Sequence, residues 1–158
     1  GKYEIRGVEL TGTVTPAKRL EIFAALTLMD AQATGGDGIE RDHLPYTPGC
    51  QLQAGFHWSF WERFRLRMDM QYLQDVYAGT NLRSGSFNFG PLTDINKLED
   101  FVLVNGRLGY VFEYRPLQIG EGEVYAAINN LFNRHYEYAK GYSMPGITVF
   151  AGLTLKFL

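Results

Sequence analysis

Apolar and polar residues alternate one by one along most of the chain. Phe64, Leu66, Met68, Met70 and Tyr72 fall on one side of such a run, and Arg63, Arg65, Arg67, Asp69 and Gln71 on the other. Leu52, Ala54, Phe56, Trp58 and Phe60 oppose Gln51, Gln53, Gly55, His57 and Ser59 in the same way. Leu20, Ile22, Ala24, Leu26 and Leu28 alternate with Glu21, Phe23, Ala25, Thr27 and Met29, and Ile147, Val149, Ala151, Leu153, Leu155 and Phe157 with Thr148, Phe150, Gly152, Thr154 and Lys156. A two-residue period is that of a half-buried strand, and a helical period fits these runs badly. The pattern predicts seven strands, at about 3–15, 19–30, 51–60, 63–77, 101–114, 123–130 and 147–157. No convincing helix, linker or second compact domain is visible. The expected class is all-β and antiparallel.

Strand and loop lengths then separate two kinds of alternating sheet. Soluble strands run to about 5–6 residues, whereas a tilted membrane-crossing strand needs about 9–11. Most of the predicted runs reach the longer figure. Phe64 and Tyr72 are eight residues apart on one face, about 26 Å along a strand. Tilted by about 40°, that becomes about 20 Å of height, close to the apolar band of outer-membrane barrels between their aromatic girdles. The connections also alternate. Residues 15–18 and 61–62 are short links and 115–122 a moderate one, whereas 31–50, 78–100 and 131–146 are long. Outer-membrane barrels have short periplasmic turns and long extracellular loops. The expected orientation puts Asp37, Asp42, Arg83 and Tyr138 outside, and Lys18, Glu62 and Glu121 on the periplasmic side.

Composition narrows this further. The 158 residues are 46% apolar and 15% aromatic, and carry a net charge of −2. Aromatic enrichment favours strands, and the slight negative charge argues against non-specific nucleic-acid binding. No run of about 18 apolar residues provides a membrane-spanning helix, which a β-barrel does not need. The first residues show no basic, apolar and cleavage-site sequence, so a signal peptide is expected to have been removed or to lie upstream. The single Cys50 cannot form an internal disulfide and is expected in a turn after Pro48-Gly49. Alternation alone leaves open a soluble lipocalin-like barrel, with its apolar face inward, and a small self-closed outer-membrane barrel with a structural or adhesive role. Seven strands is an odd number, and single-chain bacterial barrels have even counts. A short hairpin around 86–89 would supply an eighth. A lipid-modifying enzyme would need a Ser/His or similar pair at the rim, and no such pair is evident.

Specific motifs add to the pattern. Ile128-Asn129-Asn130-Leu131-Phe132-Asn133-Arg134-His135-Tyr136 resembles a segment of TonB-dependent receptors. Met144-Pro145-Gly146 with the alternating run to Lys156-Phe157 is similar to their closing strand, Arg6-Gly7-Val8-Glu9-Leu10 to an earlier one, and Leu44-Pro45-Tyr46-Thr47-Pro48 to the start of another. Ile147 stands where the family often has Arg, and Leu158 follows the usual terminal aromatic. The resemblance implies about the last seven strands of a 22-stranded, plugged, transmembrane β-barrel, residues 1–158 being its C-terminal part. The plug domain, the TonB-binding box and the earlier strands then lie outside these residues. It further implies TonB, the plug, outer-membrane lipid and a small-molecule nutrient complex as partners. The nutrient is usually a ferric siderophore, sometimes haem or cobalamin. Leu155 and Phe157 take the place of the barrel-assembly signal.

Chemistry-bearing residues are sparse. Ser59, Ser84, Ser86 and Ser143 lack patterned His and acid partners, so no enzyme is expected. Gly35-Gly36-Asp37-Gly38 lacks the following helix that a phosphate cradle requires. His43 with Asp42 and Glu40 falls short of a metal site, and neither a metal nor a cofactor is expected. In the external loops, His43, Asp42, Arg83, His135 and Tyr138 are the candidates for ligand contact. Arg63, Arg65 and Arg67 are the most unusual cluster, because charges facing lipid at mid-depth cost several kcal/mol. They are expected to face the lumen together with Asp69, Arg107 and Glu21, either to dock the plug or as general lumen polarity. His57 belongs on that polar wall. With two unpaired edges, the isolated segment is expected to self-associate.

Overall fold

The computed structural model describes residues 2–34, 40–41, 43–80, 94–114 and 119–157. Its strands are β1 (Lys2–Ala17), β2 (Leu20–Thr34), β3 (Glu40–Arg41), β4 (Cys50–Phe60), β5 (Phe64–Gln74), β6 (Tyr77–Thr80), β7 (Asp94–Lys97), β8 (Phe101–Tyr114), β9 (Ile119–Asn129), β10 (Glu137–Ala139), β11 (Tyr142–Ser143) and β12 (Thr148–Phe157). Seven of them form one antiparallel meander in the order β1-β2-β4-β5-β8-β9-β12, and β3 adds a short pairing to β2. These seven are the strands that the alternation predicts. β6–β7 and β10–β11 are small separate hairpins within two of the long connections.

Register runs an apolar row along one face and a charged row along the other through the middle of the sheet. Ile22 lies opposite Phe56, which lies opposite Met68, and Met68 opposite Gly106. Gly106 in turn meets Ile128, and Ile128 meets Val149. Leu66, Val102, Val104, Leu153 and Leu155 share this apolar face by the two-residue period. The opposite face carries the row Glu21, His57, Arg67, Arg107. A one-residue slip would exchange the two faces, so burial of one face fixes the register.

The sheet is a single layer, without the core of a soluble domain. β1 is exposed along its entire length. Leu10, Val149 and Phe157 are each more than 60% exposed. Among the described residues β1 pairs only with β2 and β12 only with β9, so both edges are open. At the short-turn end Trp58, Phe60, Trp61, Phe64 and Tyr110 form a continuous aromatic cluster with ring separations of 4.8–6.0 Å. Such a belt suits a membrane–water boundary, where an amphipathic ring has one wet end. At the long-connection end Leu73, Val76, Leu98, Phe101 and Leu103 pack with Tyr136 into the one buried apolar cluster of the described residues.

Some positions depart from the expectation. Arg63 belongs to the turn at 61–63, before β5 begins. Trp61 and Glu62 there have φ of 45° and 62°, so the strict alternation stops at Phe64. Cys50 is the first residue of β4, opposite Leu28 and Gln74, and not a turn residue. β9 reaches back to Ile119, which draws Glu121 into the sheet opposite Lys156. The hairpin considered at 86–89 lies outside the described residues.

Candidate functional site

The polar face gathers charge at its short-turn end. β5 places Arg65 and Arg67 two residues apart, β8 places Arg107 directly opposite Arg67, and β9 supplies Glu121 and Glu123. Arg65 reaches Glu121 through both terminal nitrogens, at 3.3 and 3.4 Å, a fork-on-fork arrangement that strengthens the pair. Its Nη1 lies 3.9 Å from Glu123. Arg107 Nη2 lies 3.2 Å from Glu123, and its guanidinium carbon sits 3.8 Å from the centre of the Tyr125 ring. Arg107 is thus fixed by a carboxylate and an aromatic face together. Two glycines make the space. A Cβ on Gly109 would overlap the Glu123 carboxylate, and one on Gly152 would overlap the Tyr125 ring.

Along the same face, His57 Nδ1 lies 3.5 Å from Glu21, and the Phe23 ring tilts against the imidazole at 5.6 Å. A cavity of about 260 Å³ opens between these groups, lined by His57, Arg65, Arg67, Arg107 and Glu123 among others. Farther along, Asn105 donates to Asp69 at 2.8 Å, and its oxygen accepts the Asn130 backbone N–H at 3.0 Å. Arg65, Arg67, Asp69, Arg107 and Glu21 therefore share one face. Arg63 does not join them. Its Nη1 donates to the Tyr110 hydroxyl at 3.2 Å, and Tyr110 stands on the apolar face opposite Phe64. That hydrogen bond holds the Arg63 guanidinium above its ordinary pKa.

At the other end, the connection from residue 130 to 147 bends over the polar face. Asn130, 4% exposed and with φ of 52°, ties both ends of this loop. Its oxygen accepts the Arg134 N–H at 2.8 Å, and its amide nitrogen donates to the Arg134 carbonyl at 2.8 Å and the Pro145 carbonyl at 3.2 Å. Asn133, with φ of 51°, accepts the Ile147 N–H at 2.9 Å. Asparagine tolerates the left-handed region and bonds the nearby backbone, which gives the Asn-Asn-Leu-Phe-Asn motif its physical reason.

The closed loop lays Tyr136 and Tyr138 over β5 and β8. Phe101 contacts both rings, at 4.8 and 5.4 Å. Tyr138 donates to Gln71 at 3.3 Å. Burial, followed by the neighbouring Tyr136, raises the Tyr138 pKa. His135 is exposed on the same loop. His43 stacks flat on Tyr77 at 3.9 Å, beside a cavity of about 490 Å³ that also meets Asp30, Cys50 and Asp75. Asp42 and Arg83 lie outside the described residues, as do Asp37 and Leu158. Lys97 pairs with Asp75 and Asp100, and its hydrogen bond to Asp75 holds its pKa up. On β12, Leu155 and Phe157 lie on the apolar face at the open edge.

Sequence reasoning missed Glu121, Glu123 and Tyr125 as partners of the arginines, and the Phe101–Tyr136–Tyr138 cluster. The two-residue period of β9 carried the signal for the first group. The cluster depends on the path of the loop, which has no period.

No curated protein sequence matches the chain. A family model described as TonB dependent receptor-like, beta-barrel, matches residues 1–131. That span contains six of the seven long strands, from β1 to β9. With a single-layer antiparallel sheet, polar on one face and apolar on the other, the chain belongs to the TonB-dependent receptor β-barrel family, a family of outer-membrane receptors and transporters and not of enzymes.

Proposed function

We propose that the intact protein is an outer-membrane receptor that takes up a scarce nutrient, first of all a ferric siderophore, with energy delivered through TonB. Haem and cobalamin are the second choices. In this reading, residues 1–158 are the C-terminal part of a barrel of about 22 strands, whose plug domain and earlier strands lie outside them. The observation that carries it is the two-faced character of the seven-stranded sheet along its middle. Arg65, Arg67, Asp69, Arg107 and Glu21 lie on one face, opposite an exposed apolar face of barrel-spanning length. Charge is tolerated in a barrel interior and is costly against lipid.

The polar face then lines the lumen and receives the plug. The long connections face outward, where His43, Asp42, Arg83, His135 and Tyr138 are the proposed ligand contacts. Leu155 and Phe157, at the exposed edge, serve assembly of the barrel.

Growth on a ferric siderophore or haem as sole iron source, and on limiting cobalamin in a cobalamin-requiring strain, with the intact gene deleted and then restored, tests the substrate. Loss of growth on a ferric siderophore alone is the expected result. Loss on haem or cobalamin alone would replace the substrate, and unchanged growth on all three would overturn the uptake reading.

A further inference from the structure

Arg63 is the arginine that leaves the polar face. Its Nη1 donates to the Tyr110 hydroxyl at 3.2 Å, and Tyr110 stands on the apolar face opposite Phe64. The other guanidinium donors of Arg63 have no hydrogen bond or ion pair among the described residues. The rings of Trp58, Phe60, Trp61 and Phe64 surround this end of the sheet, and Trp61 is 81% exposed. Long cationic side chains and aromatic rings at the rim of an apolar face sit at the depth of lipid headgroups.

The apolar face beside this cation is not smooth. Gly106 on β8 stands between Met68 and Ile128 in one cross-strand row, and Val149 follows Ile128. The next row toward the short turns runs Leu66, Leu108, Ala126. Gly106 has no side chain and Ala126 only a methyl, so the larger neighbours wall a groove of about 350 Å³. Tyr110 and Gly106 are four residues apart on β8 and share a face, about 13 Å along the strand. Tilted by about 40°, that is about 10 Å of depth, within half of an apolar band about 25 Å tall. The cation and the groove thus lie at the depths of the headgroup and the acyl chain of a single leaflet.

We propose that Arg63 and this groove form a site for one zwitterionic phospholipid, its phosphate on the open side of the Arg63 guanidinium and an acyl chain in the groove. The site rests on the reading above that the apolar face meets lipid. Charge selects the headgroup. A guanidinium matches phosphate oxygens through paired N–H donors. Glu62 and Glu113 both act electrostatically on Arg63, so a headgroup with a net negative charge meets repulsion there. A headgroup that carries an ammonium beside its phosphate supplies a counter-charge to both signs. A free phosphate would leave the groove unfilled.

The test uses the intact receptor, purified in detergent and titrated with phosphatidylethanolamine, phosphatidylglycerol or diacylglycerol. Native mass spectrometry counts the bound lipid. The parent should bind one phosphatidylethanolamine more tightly than the other two lipids. Arg63→Gln should weaken that binding about tenfold, the effect of losing one charge-assisted hydrogen bond, and Arg63→Lys should keep most of it. Ala126→Phe fills the groove and should also weaken binding about tenfold, equivalent to about two methylenes of acyl contact. Val8→Phe, on the apolar face of β1 away from the groove, should leave binding unchanged. Retention of the barrel in each variant is checked by unheated electrophoresis.

Equal affinity in the parent and Arg63→Gln would overturn the phosphate anchor, and equal affinity in Ala126→Phe the acyl groove. Phosphatidylglycerol binding as tightly as phosphatidylethanolamine would overturn the zwitterionic headgroup. A lipid-free dimer would overturn the lipid occupant in favour of a second copy of the chain. A bimane label on Ala126→Cys in bilayers tests the underlying facing. Absence of quenching by brominated lipid would overturn the reading of the apolar face and the site with it, whereas a quenched label confines any failure to the site alone.

Discussion

Replacing Asn130 by Ala should release the loop at residues 131–146 from the polar face. The side chain makes three hydrogen bonds, one to the Arg134 N–H and two to the carbonyls of Arg134 and Pro145. At about 1 kcal/mol net for each, their loss costs about 3 kcal/mol. Alanine must also hold the left-handed φ of 52°, which adds about 1 kcal/mol. Asn130→Ala should therefore cost about 4 kcal/mol and Asn130→Gly about 3, since glycine accepts that φ freely. Hydrogen exchange in the intact receptor reads this directly at the amides of Arg134, Met144 and Ile147, all hydrogen-bonded in the closed loop. With tenfold for each 1.4 kcal/mol, exchange should rise by about a hundredfold or more. The rise is capped by the stability of the loop itself. Exchange within about threefold of the parent would refute the tie, and Asn130→Gly exchanging as fast as Asn130→Ala would refute the φ contribution.

Met68 sits midway between Phe64 and Tyr72 on the apolar face, so Met68→Arg should destabilise the folded barrel by about 2–4 kcal/mol, while Gln71→Arg on the polar face should cost under about 1 kcal/mol; equal midpoints in urea unfolding from bilayers would contradict the assignment of faces. Gly109→Ala should push the Glu123 carboxylate from its place and cost about 1 kcal/mol, the loss of its charge-assisted contact with Arg107. The control Gly12→Ala, whose new methyl meets nothing within 4 Å, should be nearly neutral in the same unfolding assay. The raised Tyr138 pKa means that the closed loop favours the neutral phenol. That stabilisation is intact below the free value near pH 10 and fades as pH rises through the higher folded value. Phenolate absorbance of the intact receptor, compared with Tyr138→Phe, should show a phenol that ionises late, and an early-titrating Tyr138 would contradict the burial.

The strands were legible because a single local rule, the period of two, holds over ten or more residues at a time. Leu66, Met68 and Met70 had to share a face whatever their partners were. The same rule failed at Arg63, one residue beyond the strand, because the turn's left-handed Trp61 and Glu62 redirect the chain. Partners across strands were less legible. That Arg65 meets Glu121 depends on how two hairpins add their registers, including the irregularity between Phe112 and Tyr114 that offsets the start of β9. No local pattern reports such a sum. The loop from 130 to 147 was least legible, since its path is decided by a few side-chain hydrogen bonds and not by a repeat.

The two ends of the polar face therefore differ in kind. At the short-turn end, arginines on β5 and β8 meet the glutamates of β9, and every one of these groups is carried on a strand whose register the apolar face fixes. The backbone positions that carry these charges cannot shift without unpairing the sheet, which suits a surface that keeps one arrangement of charge. At the long-connection end, Tyr136 and Tyr138 reach the same face from a loop anchored at Asn130 and Asn133. Among the described residues, a hydrogen bond from Tyr138, ring contacts to Phe101 and the packing of Tyr136 on the buried apolar cluster hold the middle of that loop to the wall. Opening it would cost far less than disturbing a strand. In the receptor reading proposed above, a barrel that holds an interior body firmly and still admits a ligand from one side needs both properties, and the sequence assigns them to opposite ends of the same strands.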